Sequence, residues 1–210
     1  MAALQVRTIE PKILYFGAPV VFISSLNEDG ATNLAPRSSF WAPGWTLVPG
    51  VLDETKTAEN LARHPECAVN IASPELCNNV EELAALTGKN PVPETKAKQF
   101  RFEPEKFKKC RSDAVREQLG ATSTSPRCPV QMEARVHNLH RIGGAKLEQL
   151  GGGIAAEVEI VRVHVANDFV LGDSYIDYID PAKWSPLMYN LRHDFRLAEH
   201  ELGKTFRAER

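Results

Sequence analysis

Two long stretches, VQMEARVHNLHRI (Val130–Ile142) and IAAEVEIVRVHVAN (Ile154–Asn167), alternate apolar and polar residues with a period of two. That period belongs to strands, whose successive side chains leave on opposite faces. GGAKLEQLGGG (Gly143–Gly153) joins them as a glycine-flanked connector. The rest of the chain supplies further strands. PVVFISS (Pro19–Ser25) is a near-continuous apolar run closed by Asn27-Glu28-Asp29-Gly30, residue types that tolerate the positive φ of a tight hairpin turn. ATNLAP returns from that turn. TLVPGVLD (Thr46–Asp53) reads as a third strand, with Pro49 and Gly50 marking an edge or a bulge, and CAVNIA (Cys67–Ala72) as a fourth.

Helical patterns are fewer. Thr57–His64 opens on a threonine start signal and stops at Pro65. Asn78–Leu86 sets Val80, Leu83 and Ala84 at helical spacing behind an asparagine cap and ends at Gly88. Ser112–Leu119, closed by Gly120, is a third candidate. Residues 89–110 read as a surface excursion carrying one helical turn, and 180–210 as a C-terminal arm that packs over another surface, a second subunit being one option. Hairpin-linked strands with helices inserted between them predict one domain over 1–210, mainly β with peripheral helices, closed as an antiparallel barrel. The regular βαβ alternation of a parallel nucleotide-binding sheet is absent.

Composition removes several function classes. A formal charge of −2 leaves no electrostatic footprint for nucleic acid. No apolar run approaches the length of a membrane span. MAALQVRTIEPK lacks the basic and apolar regions of a secretion signal, so a cytoplasmic location is expected. Cys67, Cys77, Cys110 and Cys128 contain no C-x-x-C pair and read as reduced, structural thiols. No G-x-G-x-x-G occurs, and Gly151–Gly153 precedes a strand, so neither a Rossmann fold nor a phosphate loop is predicted. His137 and His140 stand three apart on a strand and leave on opposite faces, poor geometry for a shared metal; no metal site is predicted.

Two stretches carry the ligand chemistry. In NLAPRSSF (Asn33–Phe40), Pro36 is expected to end the strand ladder and free backbone groups beyond it. Ser38 and Ser39 add adaptable hydroxyls, and Arg37 adds a planar fork for phosphate or carboxylate. An ordinary strand-ending turn is the alternative. In DETKTAENLARHP (Asp53–Pro65), Lys56 and Thr57 stand at a helix N-terminus, where amides without internal partners attract anions. Asn60, one turn on, lies on the same side as Thr57. The alternative there is that Thr57 only caps its helix.

The ordered series PVVFISS, NEDG, NLAPRSSF, KTAEN and VN resembles the flavin reductase-like family with the FMN-binding split-barrel fold. The closest resemblance is to the reductase components of two-component flavin monooxygenases. It covers roughly residues 11–170, with CPVQMEARV and AAEVEIVRVHV as barrel-closing strands. The resemblance implies that Ser24 and Ser25 line the flavin site. It gives Asn33, Ala35, Pro36, Arg37, Ser38 and Ser39 the edge of the isoalloxazine and ribityl chain, and Lys56, Thr57 and Asn60 the phosphate. FMN is the implied cofactor, with FAD the alternative, and NAD(P)H the implied electron donor, lying in an open groove against the flavin. His164 stands where the family often has a histidine near the flavin, so a donor-pocket role is set against that of a satisfied rim histidine. A homodimer with FMN at its interface is also implied, the arm reaching the neighbouring subunit, and a monooxygenase or other electron-accepting protein as partner. The chain departs from the pattern at Ser24–Ser25, at Thr55-Lys56-Thr57 and in WAPGWTLVPGVLD, which leaves the donor open. Trp41 and Trp45 read as cover for an exposed core edge, with stacking on an aromatic ligand as the alternative. A flavoredoxin-like electron carrier and a non-catalytic flavin-binding module are the competing functions.

Overall fold

The computed structural model describes residues 5–11, 14–109, 115–116, 123–124, 127–171, 178–198 and 202. The first part runs through β1 (Phe16–Pro19), β2 (Val21–Leu26), β3 (Thr32–Arg37), the short β4 (Phe40–Trp41) and β5 (Thr46–Leu52). Helix α1 (Lys56–Arg63), β6 (Glu66–Ile71), α2 (Cys77–Ala84) and β7 (Leu86–Thr87) follow. Residues 88–109 then hold β8 (Arg101–Phe102) and α3 (Lys106–Lys109), with β9 (Val115–Arg116) and β10 (Ser123–Thr124) beyond. The long pair is β11 (Val130–Ile142) and β12 (Gly153–Val165), joined through α4 (Ala145–Glu148), and β13 (Met188–Asn190) with β14 (His193–Phe195) ends the series.

One antiparallel seven-stranded sheet, in the order β3-β2-β6-β11-β12-β5-β4, forms the curled half-barrel expected of a split barrel. β11 and β12 pair along their whole length, and the Asn27–Gly30 turn, with Gly30 at φ 81°, joins β2 to β3. β2 is buried on both faces, which explains its near-continuous apolar run. Val21 and Ile23 point into a core shared with Leu47, Leu61, Val69, Met132 and Val158. Val20, Phe22 and Leu34 face a second core under α2, with Leu83 and Leu187. Leu83 is fully buried there, so Leu83→Ala is expected to cost about 2–5 kcal/mol. The check is a lower denaturant midpoint at unchanged slope.

Several boundaries differ from the sequence expectation. β3 runs through Pro36 to Arg37, with Phe22 opposite Pro36, so the proline does not end the ladder. It is tolerated because β3 is the sheet edge, where a missing N–H faces no neighbouring strand. Thr55, not Thr57, caps α1: its hydroxyl accepts from the Ala58 N–H. α2 begins at Cys77 behind a 3-10 turn (Pro74–Leu76) and ends at Ala84, without an asparagine cap. Val115–Arg116, expected in a helix, is a strand paired with Ser123–Thr124; the rest of Ser112–Leu119 lies outside the described residues, as do Cys110 and His200. The arm docks on its own chain: Leu187 enters the second core and β13 pairs with β1. Trp41 and Trp45 are 61% and 63% exposed and cover no core edge.

Candidate functional site

A cavity of about 770 Å³ opens between the free edge of β3, the start of α1, α2, residues 88–106 and the β13–β14 hairpin. Asn33, Ala35, Pro36, Arg37, Ser38 and Ser39 all border it, because β3 presents its unpaired edge there. Lys56 and Thr57 form its foot. With Thr55 taking the capping position, the Thr57 hydroxyl is released from it and accepts from Asn33 Nδ2 at 3.4 Å. The Tyr15 hydroxyl and Ser39 Oγ lie 2.7 Å apart, and Tyr15 packs edge-on against Tyr189 at 5.4 Å between centroids. Phe100 adds another aromatic wall.

Two glycines let backbone approach this cavity closely. A Cβ on Gly50 would lie 3.3 Å from Ser39 Cβ, and Gly50 N–H donates to the Ser39 carbonyl at 2.6 Å. A Cβ on Gly88 would lie 2.4 Å from Asn33 Oδ1.

Other sequence candidates stand elsewhere. Ser24, Ser25 and Asn60 are fully buried but outside the cavity lining. Asn60 Nδ2 donates to Ser25 Oγ at 3.1 Å and to Asn27 Oδ1 at 2.8 Å, tying α1 to the β2–β3 hairpin. Its Oδ1 is buried without a hydrogen-bond partner among the described residues. His164 lies near the far end of β12 from Gly153, the residue of that strand that borders the cavity. Its Nε2 is 2.7 Å from the buried Glu133 carboxylate, which Arg162 also meets at 3.1 Å. His137 and His140 pair separately with Glu159 and Glu157.

The charges redistribute the expected roles. Lys56 is engaged by Glu28 and Glu59, each at 2.7 Å, and Lys89 also pairs with Glu59. Burial opposes the Lys56 charge, but these carboxylates outweigh it and raise its pKa; hydrogen bonds from Lys56 and Lys89 pull Glu59 down to about 2. Arg37, Lys96, Lys106 and Arg192, which also border the cavity, instead have no carboxylate at ion-pair distance among the described residues. Arg37 Nη1 donates to the Pro36 carbonyl at 3.0 Å, while its Nε is buried without a hydrogen-bond partner. Lys106 Nζ donates to Asn33 Oδ1 at 3.0 Å, and Lys96 Nζ to the Glu54 carbonyl at 2.9 Å. Burial and the neighbouring Arg37 charge depress both lysines, Lys106 to about 8.

Lys96 and Lys106 are functional candidates the sequence reading missed, along with Arg192. The last stands in a two-residue hairpin turn where Leu191 and Arg192 take φ of 48° and 71°. Both residues sit in the left-handed region that usually belongs to glycine or asparagine, and the turn directs Arg192 to the cavity. The only sequence signal for Lys106 was its place beside Phe107, an aromatic that the fold buries.

No established family profile matches the chain. It is 35% identical over 205 residues to the uncharacterized protein YdfE of Bacillus subtilis (strain 168), spanning 97% of this chain and 94% of that one. The chain belongs to the family of YdfE, and its fold is the flavin reductase-like split barrel. Among solved structures it is similar to flavoredoxin of Desulfovibrio vulgaris (Miyazaki F), with a TM-score of 0.74 at 14% identity over 98% of this chain and 100% of that one. Nitrilotriacetate monooxygenase component B from Bacillus cereus gives 0.72 at 16% identity, over 95% and 99%. The NADH:FAD oxidoreductase of Streptomyces globisporus, determined with NAD and FAD fragments, gives 0.60 at 13% identity, over 88% and 87%.

Within this split barrel the cavity combines a free strand edge, aromatic walls and four cations outside ion pairs, Arg37, Lys96, Lys106 and Arg192, with the carboxylates of Glu81 and Asp194 also in its lining. Its volume falls inside the roughly 300–1,000 Å³ range of small-molecule sites. Such a lining suits a flat ring with hydrogen-bonding edges joined to an anionic group. No helix among the described residues is long and apolar enough to cross a membrane.

Proposed function

We propose that the protein is a flavin-dependent oxidoreductase that binds FMN in this cavity and accepts electrons from NAD(P)H. The observation that carries the reading is the juxtaposition of β3's unpaired edge with cations that have no carboxylate partner. The buried, unpartnered Arg37 Nε and the close backbone approach at Gly50 and Gly88 support it. Bound flavin would supply two-electron chemistry between a reduced nicotinamide and an acceptor. The Ser38 and Ser39 hydroxyls and the β3 edge would hydrogen-bond the ring system and fix its orientation. Tyr15, Tyr189 and Phe100 would exclude water from one side, and the basic side would hold the phosphate. Among the residues bordering the cavity, none is required here as a protein acid, base or nucleophile.

One solved structure named above is a monooxygenase component, which supports a monooxygenase or another electron-accepting protein as partner. The exposed Trp41, Trp45 and Phe16 support self-association as a homodimer. Steady-state oxidation of NADH and NADPH with FMN or FAD present tests the activity. Oxidation stimulated by FMN supports the reading, and the preferred nucleotide names the donor. Retained FMN with neither nucleotide oxidised overturns the reductase and leaves an electron carrier.

A further inference from the structure

Resting on the flavin reading, we infer that Tyr15 is a positioning residue. It holds the Ser39 hydroxyl as a fixed donor to the ring bound in the cavity, and so sets how readily that ring accepts electrons. Ser39 lies just past the end of β3, where the chain leaves the ladder for β4. Gly50 fixes its main chain and its Cβ. The Ser39 carbonyl accepts from the Gly50 N–H at 2.6 Å, and the glycine leaves room for the Ser39 Cβ, which a Cβ at position 50 would meet at 3.3 Å. Rotation about the Cα–Cβ bond is the freedom that remains. Tyr15 removes it, with its hydroxyl 2.7 Å from Ser39 Oγ.

Tyr15 is itself held from two directions by the C-terminal hairpin. Its ring packs edge-on against Tyr189, and its carbonyl accepts from the Leu191 N–H at 2.9 Å. Leu191 makes that bond from φ 48°, a left-handed conformation that is costly for any residue with a Cβ. The strained turn thus anchors the tyrosine that faces Ser39.

The two hydroxyls share one hydrogen bond, so one of their protons goes elsewhere. A phenol is the stronger donor and an aliphatic hydroxyl oxygen the stronger acceptor, which leaves the Ser39 proton to spare. Among the described residues Ser39 Oγ makes no second hydrogen bond, and Ser39 borders the cavity, so that proton is offered there. A free serine hydroxyl turns to serve donors and acceptors alike. One fixed as a donor stabilises most the state in which negative charge has developed opposite it. A flavin ring gains electron density on reduction, so the Tyr15–Ser39 pair favours the reduced form. Without the phenol the hydroxyl rotates again, and that preference falls while the ring keeps its site.

The test is the reduction potential of bound FMN, measured anaerobically against reference dyes, for native protein, Tyr15→Phe, Ser39→Ala and the double variant. Tyr15→Phe keeps the ring against Tyr189 and removes only the hydroxyl. It is expected to disfavour reduction about tenfold, which is about 30 mV for a two-electron couple. Ser39→Ala is expected to disfavour it at least as much, and adding Tyr15→Phe to Ser39→Ala to change nothing further. A native potential in Tyr15→Phe would overturn the inference. So would a native potential in Ser39→Ala, which leaves the aromatic contacts alone and decides the matter even where Tyr15→Phe does not fold. A second decrease in the double variant would also overturn it, since Tyr15 would then act by another path. These outcomes all leave FMN bound and the flavin reading standing; native protein that binds no FMN would overturn both.

Discussion

Gly88→Ala is expected to lower stability by about 1–3 kcal/mol and FMN affinity at least about tenfold. The added carbon would stand 2.4 Å from Asn33 Oδ1 and 3.2 Å from Lys56 Cγ. Asn33 cannot swing aside at low cost. It is buried, its amide nitrogen donates to Thr57, and its oxygen accepts from Lys106. Displacing it would free a buried hydroxyl and a buried ammonium at the same time. Lys56 is anchored as well, by Glu28 and Glu59. Denaturant midpoints and flavin titrations on the variant check both effects. A variant with native stability and native affinity would mean that the Asn33 side chain is not held in this network.

Lys106→Met is expected to move stability and binding in opposite directions. Burial holds the Lys106 ammonium at about 8, well below its ordinary value of 10.5, so its charge opposes folding at neutral pH. Each unit of that displacement corresponds to about 1.4 kcal/mol, against which the lost hydrogen bond to Asn33 costs about 1 kcal/mol. The ligand-free variant should therefore be more stable at pH 7 by about 2 kcal/mol. The sign with pH follows from proton counting. Between about 8 and 10.5 the unfolded chain holds this proton and the folded chain does not, so native stability rises with pH across that window. In Lys106→Met this contribution should vanish, while FMN affinity falls. Unfolding midpoints compared at neutral and alkaline pH measure it; a less stable variant with an unchanged alkaline slope would show that Lys106 is not a charge held against its preference. Stability given up at a site for binding is a common trade in functional cavities.

Much of the fold was legible because it rests on local patterns. The alternation in Val130–Ile142 and in the strand after Gly153 survives as β11 and β12, since each has one face to bury. The Asn27–Gly30 turn was readable from its own chemistry. Pro36 was misjudged because whether a strand is an edge depends on the order of strands in the sheet, which no local pattern records. Thr55 and Thr57 are both competent caps, and the choice between them is made by how α1 packs: Thr57 is drawn inward to Asn33. The cationic part of the cavity was the least legible. Lys96 and Lys106 lie in a lysine-rich run without periodicity, and only tertiary folding sets them beside Arg37 while giving Lys56 to the acids. The sequence marks an arm that packs over another surface without saying which; Leu187 and Tyr189 seat it on the chain's own second core, and β13 pairs with β1.

The measurement that tests the central claim most directly is an anaerobic visible spectrum of FMN titrated with the purified protein. A saturable shift and sharpening of the flavin bands is expected, because the ring would leave water for a cavity with fixed donors and aromatic walls. Bands identical to those of free FMN at every protein concentration would contradict a flavin site between β3 and the start of α1.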